Sequence, residues 1–386
     1  MAEFDIIVYG ASGFTGRLVA EYINETHPDL SWAMAGRNAA KLAEVRDEMG
    51  LPAETALVEA DAADAASIDA MAARAKVIIT TVGPYQLYGE PLVAACAKHG
   101  TDYVDLSGEP PFMWEMIEKY DAQAKETGAR IVHSCGFDSV PFDMGVYFLQ
   151  EAAKERFGAP LKDVKCRVRS MAGTASGGTA ASGAETMKRA KADPAVFQRL
   201  MSSFALTPGF EGAKQPSGHK PYEDPDFGVW VAPFFMATIN TKNVHRSNLL
   251  LDHAYGADFT YEEMMFTGKG EQGAKIAEQV AKTDIAAMSA KLKPGDGPSK
   301  EERDNGSYDL MFTGLSEGDE RMIVGVKGDR DPGYGSTSKM ITECAMCLLN
   351  EAADAPGGVL TPAPVFGGHI IDRLQAHAGL SFAVEM

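Results

Sequence analysis

Between Phe4 and about His133 the chain alternates short apolar, β-rich runs with stretches of helical period, and few folds accommodate that alternation. Strand, helix and strand in repetition give a parallel sheet with helices on both faces. Strands are expected over 5–9, 31–35, 56–59, 77–82, 102–105 and 130–133, with helices after Phe14, Asn38, Asp64, Leu87 and Pro111. Six strands with five intervening helices make a complete doubly wound α/β sheet.

After Cys135 the pattern changes. A helix is expected over 140–156, followed by longer, irregular strands such as 163–171. The runs 306–315 and 321–326 are joined by Ser316-Glu317-Gly318-Asp319 and read as a hairpin. Residues 207–226 are rich in Gly, Pro and Ser and read as a long loop, and a helix is expected from Thr337 to about Ala353. With 386 residues to distribute, this is a second, α+β domain.

Gly10, Gly13 and Gly16 lie between the first strand and the first helix, in Gly10-Ala11-Ser12-Gly13-Phe14-Thr15-Gly16. Glycines here allow a tight turn, close approach of a pyrophosphate to the main chain, and close helix–sheet packing, while the N–H groups of the helix start face the anion. Strand, turn and helix in this order identify a Rossmann dinucleotide site. At the end of the second strand, where an NAD-specific domain carries an acid for the ribose hydroxyls, the chain has Arg37, Asn38 and, one turn on, Lys41. A guanidinium fork suits a 2'-phosphate, so NADP is expected over NAD. Asp61 and Ala62 at the third strand end flank the adenine or start a helix, and Val82-Gly83-Pro84-Tyr85 at the fourth lies beside the nicotinamide half.

Fifty-four acidic against 36 basic side chains give a net charge of −18, which repels nucleic acid and anionic membranes. An anionic cofactor must then be met by local cations or backbone N–H groups. Five cysteines without disulfide spacing point to a reducing cytoplasm, and Cys344 and Cys347, on a helical stretch with no second pair, read as core. No apolar run is long enough to span a bilayer. No His, Asp and Glu set has metal-ligand spacing, so no metal is expected.

Hydride transfer requires a proton donor facing the nicotinamide from the strand ends or the second domain. The catalytic candidates are Tyr85, Ser107, Glu109 and Asp138, with Tyr88, His133, Cys135 and Ser139 nearby in the chain. Ser107-Gly108-Glu109 and Asp138-Ser139 read equally as helix caps. His133 reads as a satisfied core histidine. Gly177-Gly178-Thr179 with Ser182 and Gly183 is either a second anion-binding turn or a glycine-rich connection. Phe204, Phe210, Trp230, Phe234, Phe235 and Met236 either line an acyl pocket or fill a core.

These segments together resemble the saccharopine-dehydrogenase-like oxidoreductases, and among them the trans-acting enoyl reductase branch. The resemblance rests on GASGFTG at 10–16, AGRN at 35–38, VGPYQLYGEPLVAACA at 82–97, YVDLSGE at 103–109, CGFDSVPFDMG at 135–145, GGTAASG at 177–183 and GGVLTPA at 357–363. It implies a Rossmann domain of residues 1–136 and 332–386, the last segment returning to it, around an α+β substrate domain of 137–331. It further implies NADP(H)-dependent reduction of a C=C bond in an unsaturated acyl, polyketide or other lipophilic substrate, a role in lipid metabolism. The alternatives are C=N or C=O chemistry on an amino-acid-like substrate, for which Arg167, Arg169 and Lys188 are available, and a non-catalytic NADP-binding protein. The extended strands of the second domain offer a pairing surface for a homodimer.

Overall fold

The chain is described by a computed structural model over residues 2–173, 177–283 and 297–386. Strands β1 (Phe4–Tyr9), β2 (Trp32–Gly36), β3 (Ala56–Glu59), β4 (Ala75–Thr80), β5 (Asp102–Val104) and β6 (Arg130–Val132) all run parallel. β13 (Gly358–Leu360) adds to the edge, giving the order β13-β6-β5-β4-β1-β2-β3. The six expected strands are all present, their ends within two residues of expectation. β1 is buried on both faces, as a parallel sheet under two helix layers requires. Ile6 and Val8 pack with Val19, Ile23, Met340 and Ile341, whereas Ile7 and Tyr9 pack with Ile68, Met71, Leu92 and Cys96.

The second sheet contains β7 (Asp163–Ala172), β8 (Tyr222–Asp224), β9 (Val229–Pro233), β10 (Thr260–Gly268), β11 (Ser307–Leu315), β12 (Arg321–Gly328) and β14 (Leu380–Val384), in the order β14-β12-β11-β7-β10-β9-β8. Only β7 and β10 pair in parallel; the other neighbours are antiparallel. The expected hairpin is β11–β12. The sequence assigned 332–386 as a block to the first domain. β13 does pair with β6, but β14 pairs with β12 in the second sheet.

Helix Val140–Phe157 joins the two layers. Its Val140, Phe142, Val146 and Leu149 belong to one buried cluster with Val8 and Val104 of the first sheet and Val164, Phe312 and Val324 of the second. Helix Thr337–Asn350 packs on the first sheet beside helix Phe14–Thr26 and buries Cys344 and Cys347. Gly177–Ala192 is a helix, not a glycine-rich turn. Ala, Glu, Met, Lys and Arg from Ala181 onward are strong helix formers and carry the two glycines as the first turn.

Candidate active site

The carboxyl ends of the first sheet are built around Gly10. Its φ of +92° is open to glycine at little cost, and a Cβ there would come 2.7 Å from Thr81 Oγ1 and 2.9 Å from a Val82 methyl. The turn after β1 and the segment after β4 therefore lie against each other. Gly13 N–H donates to Gly10 O at 2.9 Å, and a Cβ on Gly16 would be 2.2 Å from that same oxygen. The helix Phe14–Thr26 begins without a side-chain cap, whereas the helices after β2 and β3 are capped by Asn38 and Asp64. Its leading N–H groups, those of Phe14, Thr15 and Gly16, are the donors a helix start leaves open. A dinucleotide pyrophosphate fits this cradle.

After β2, Arg37 is exposed and its guanidinium makes no hydrogen bond or ion pair among the described residues. Asn38 is fixed as a cap, its Oδ1 accepting from Lys41 N at 2.9 Å, and Lys41 Nζ lies 3.0 Å from Glu44. Asp61 is not the cap of the following helix. It accepts from Ala63 N at 3.0 Å in a local turn, and Asp64 caps instead. Tyr9 lies beside this turn, and burial together with the Asp61 charge pushes its hydroxyl up to about 12.

At the ends of β4, β5 and β6 the candidates separate. Tyr85 is buried, its hydroxyl donating to Thr80 O and accepting from Leu106 N, each at 3.1 Å. That single proton is directed at a backbone carbonyl, so Tyr85 holds two strand ends together. Glu109 is fully buried and accepts from Tyr85 N (2.8 Å), Gln86 N (2.9 Å) and Ser182 Oγ (2.5 Å). Its carboxylate thus caps the short helix Tyr85–Tyr88 and anchors the helix carrying Ser182. Ser107 Oγ accepts from Glu109 N at 3.3 Å, and its carbonyl accepts from Ser134 Oγ at 2.6 Å. Both Ser107 and Glu109 are fully buried, and the Glu109 carboxylate has its acceptor positions filled.

Asp138 differs. It follows β6, stays partly accessible, and its carboxylate makes no hydrogen bond or ion pair among the described residues. A Cβ placed on Gly108 would lie 3.1 Å from Ile239 Cδ1 and 3.5 Å from Asp138 Oδ2, so the β5 end, the β6 end and the second domain converge here. Desolvation by this surrounding protein pushes the carboxyl up to about 7. The acid is thereby available in both protonation states near neutral pH.

The residues that sequence reading missed lie behind Asp138. Helix Ala237–Leu250 buries Asn240, Lys242, Asn243, His245, Arg246 and Ser247. Asn243 Nδ2 donates to Ser139 Oγ (2.8 Å) and Ser134 Oγ (3.2 Å), fixing the loop that carries Asp138. Asn240 Nδ2 donates to Glu263 at 2.7 Å, and burial pushes that carboxyl up to about 8. His133 Nδ1 lies 2.7 Å from Asp105, while its Nε2 has no partner. The His133 reading as a satisfied histidine therefore holds at one nitrogen only.

Residues 6–132 match the model of the saccharopine dehydrogenase NADP-binding domain. A protein of Mycobacterium tuberculosis that carries the name trans-acting enoyl reductase provisionally is 42% identical, the match covering 98% of this chain and 97% of that one. The chain belongs to the saccharopine-dehydrogenase-like oxidoreductases, beside the trans-acting enoyl reductases. A trans-acting enoyl reductase of Mycobacterium ulcerans is 37% identical over 96% of both chains. Saccharopine dehydrogenase (L-Glu forming) of Saccharomyces cerevisiae shares the fold, with a TM-score of 0.56 at 11% identity over 99% of this chain and 100% of that one. NADP is the cofactor of the family domain matched, and the uncapped cradle fits its pyrophosphate. No helix among the described residues is long and apolar enough to cross a membrane.

Proposed function

We propose that the protein reduces the C=C bond of an unsaturated acyl, polyketide or other lipophilic substrate, with Asp138 as proton donor. NADPH, when bound, supplies the hydride, accepted at the substrate's β-carbon. The π electrons then move to the α-carbon, which takes the Asp138 proton, and Asp138 is reprotonated from solvent. Gly10–Gly16 hold the pyrophosphate by main-chain N–H groups, and Arg37 meets the 2'-phosphate. Val82, Gly83 and Pro84 line the nicotinamide half, where the main chain passes close. Asn243, through Ser139, keeps the Asp138 loop in place.

The observation carrying this reading is the unpartnered, desolvated Asp138 carboxyl where the strand ends meet the second domain. Near-full-length relatives with the enoyl reductase name favour the substrate class. A second observation weighs against an amino-acid-like substrate. The three cations named for such a substrate each have acidic partners: Arg167 with Asp224 (2.8 Å) and Glu262 (2.6 Å), Arg169 with Asp309 (3.2 Å) and Glu385, and Lys188 with Glu185 (3.2 Å).

The test is NADPH oxidation with α,β-unsaturated thioesters run in D₂O. The reading expects a saturated product with one solvent deuteron at the α-carbon. Turnover of imines or ketones, with no enoyl thioester reduced, would sink it.

A further inference from the structure

The cradle loop and its helix, residues 10–26, carry a single cation. Arg17, one turn into the helix, donates to Ser12 O at 3.3 Å and pairs with Glu48 at 2.9 Å, so its charge is compensated. Arg37 sits at the adenosine end. In a chain of net charge −18, main-chain dipoles alone leave most of a pyrophosphate's charge unmet.

A second cation approaches the same helix from the other domain. Segment 297–303 closes on the first residue of the cradle helix. A Cβ on Gly297 would stand 2.3 Å from the Phe14 ring, so the main chain there packs directly on that ring. Tyr334 also meets Phe14 edge-on, at 4.8 Å between centroids. The guanidinium of Arg303 lies over the same ring, 5.6 Å from its centroid.

Arg303 is held from behind. Its Nη1 donates to Pro298 O at 2.7 Å, and its carbonyl accepts from Asp331 N at 2.9 Å. It forms no ion pair among the described residues. The adjacent acid, Asp304, is bound to Lys300 at 2.9 Å and also faces Arg330 at 3.5 Å; Glu302 is turned back onto Ser299, and the Asp331 carboxylate accepts from Tyr334 N (2.8 Å) and Gly335 N (3.1 Å). A guanidinium fixed by a ring and a carbonyl, with its other nitrogens open, is pre-organised for an anion and loses little freedom on binding one.

We infer that Arg303 is a cofactor-phosphate ligand, contributed by the second domain, which grips the pyrophosphate of NADP opposite the Gly10–Gly16 cradle. Nucleotide binding then spans both domains, with segment 297–303 already seated on Phe14. The pyrophosphate is common to NADP and NAD, so Arg303 governs affinity and leaves the choice between them to Arg37.

The experiment is fluorescence titration of the full chain with NADPH and with NADH, for wild type, Arg303→Met, Arg303→Lys and Arg37→Ala, beside the thermal midpoint of each without nucleotide. Arg303→Met should weaken both nucleotides by the same factor, about 10- to 100-fold, with the NADPH-to-NADH ratio and the nucleotide-free midpoint unchanged. Arg303→Lys, which keeps the charge, should lose less. Arg37→Ala should instead collapse the ratio. Unchanged affinities in Arg303→Met overturn the inference, and so does a collapse of the ratio in that variant, which would put Arg303 at the 2'-phosphate. A fall in the nucleotide-free midpoint matching the affinity loss would make Arg303 a structural residue. Failure of wild type to bind either nucleotide would remove the cofactor site itself, a result distinct from all of these.

Discussion

Glu109 and Asp138 stand after neighbouring strands β5 and β6, and in sequence they are alike: an acid beside Gly or Ser, just ahead of a proline-initiated helix. Their surroundings are opposite. Glu109 accepts two main-chain N–H groups and a serine hydroxyl, whereas Asp138 is bound by nothing among the described residues and faces the second domain. A buried carboxylate with its acceptor positions filled contributes structure, and one left desolvated and open has its protonation equilibrium moved toward neutrality. The difference lies in partners that come from distant parts of the chain.

The strongest way to break this comparison is Asp138→Asn. With an enoyl substrate and saturating NADPH, kcat should fall by about 10²- to 10⁴-fold while NADPH affinity holds. A kcat within a few-fold of wild type would return Asp138 to a capping role. Next comes Glu109→Ala, which strands Tyr85 N and Gln86 N in the interior. About 2–4 kcal/mol should be lost in urea unfolding, from one buried and one half-buried donor left without an acceptor, and an unchanged midpoint would contradict the capping assignment.

A third prediction uses pH. The Asp138 carboxyl moves from an ordinary 3.8 up to about 7 on folding, through desolvation. An acid raised in this way favours the folded state most below 3.8, and that advantage is lost as pH rises toward 7, because the unfolded chain ionises first. Asp138→Asn should therefore be more stable than wild type at pH 8, by about 1–2 kcal/mol after allowing for its partial exposure, and gain nothing at pH 4. Equal gains at both values would refute the desolvation argument. A comparable effect on stability, with none on chemistry, is expected of Tyr85→Phe. Losing one satisfied hydroxyl should lower stability by about 1–2 kcal/mol and leave the chemical step alone, and a 10²-fold kcat loss would restore Tyr85 as a donor.

The first sheet was legible because buried parallel strands are short, apolar and bounded by turns, and the glycine loop was legible because its constraint is local: Gly10 and Gly16 meet each other within one turn. Asp138 was legible as a candidate but not as distinct from Glu109. Helix Ala237–Leu250 escaped because its ATINTKNVHRSNLL sequence reads as a solvated surface. Its polar residues are buried because Asn240 meets Glu263, Asn243 meets Ser134 and Ser139, and Ser247 meets Asp143 and Thr361, none of which lies near it in sequence. Arg303 was invisible for the same reason, since the Phe14 ring it covers is almost three hundred residues earlier in the chain.

β13 and β14 lie about twenty residues apart, yet one completes the edge of the first sheet and the other the edge of the second. During vectorial synthesis, neither sheet acquires its last strand until this stretch has emerged, so both layers wait on one late event. The two halves should then melt in a single transition instead of as independent modules, and a chain cut before Gly358 would leave both β6 and β12 as bare strand edges open to association with other chains.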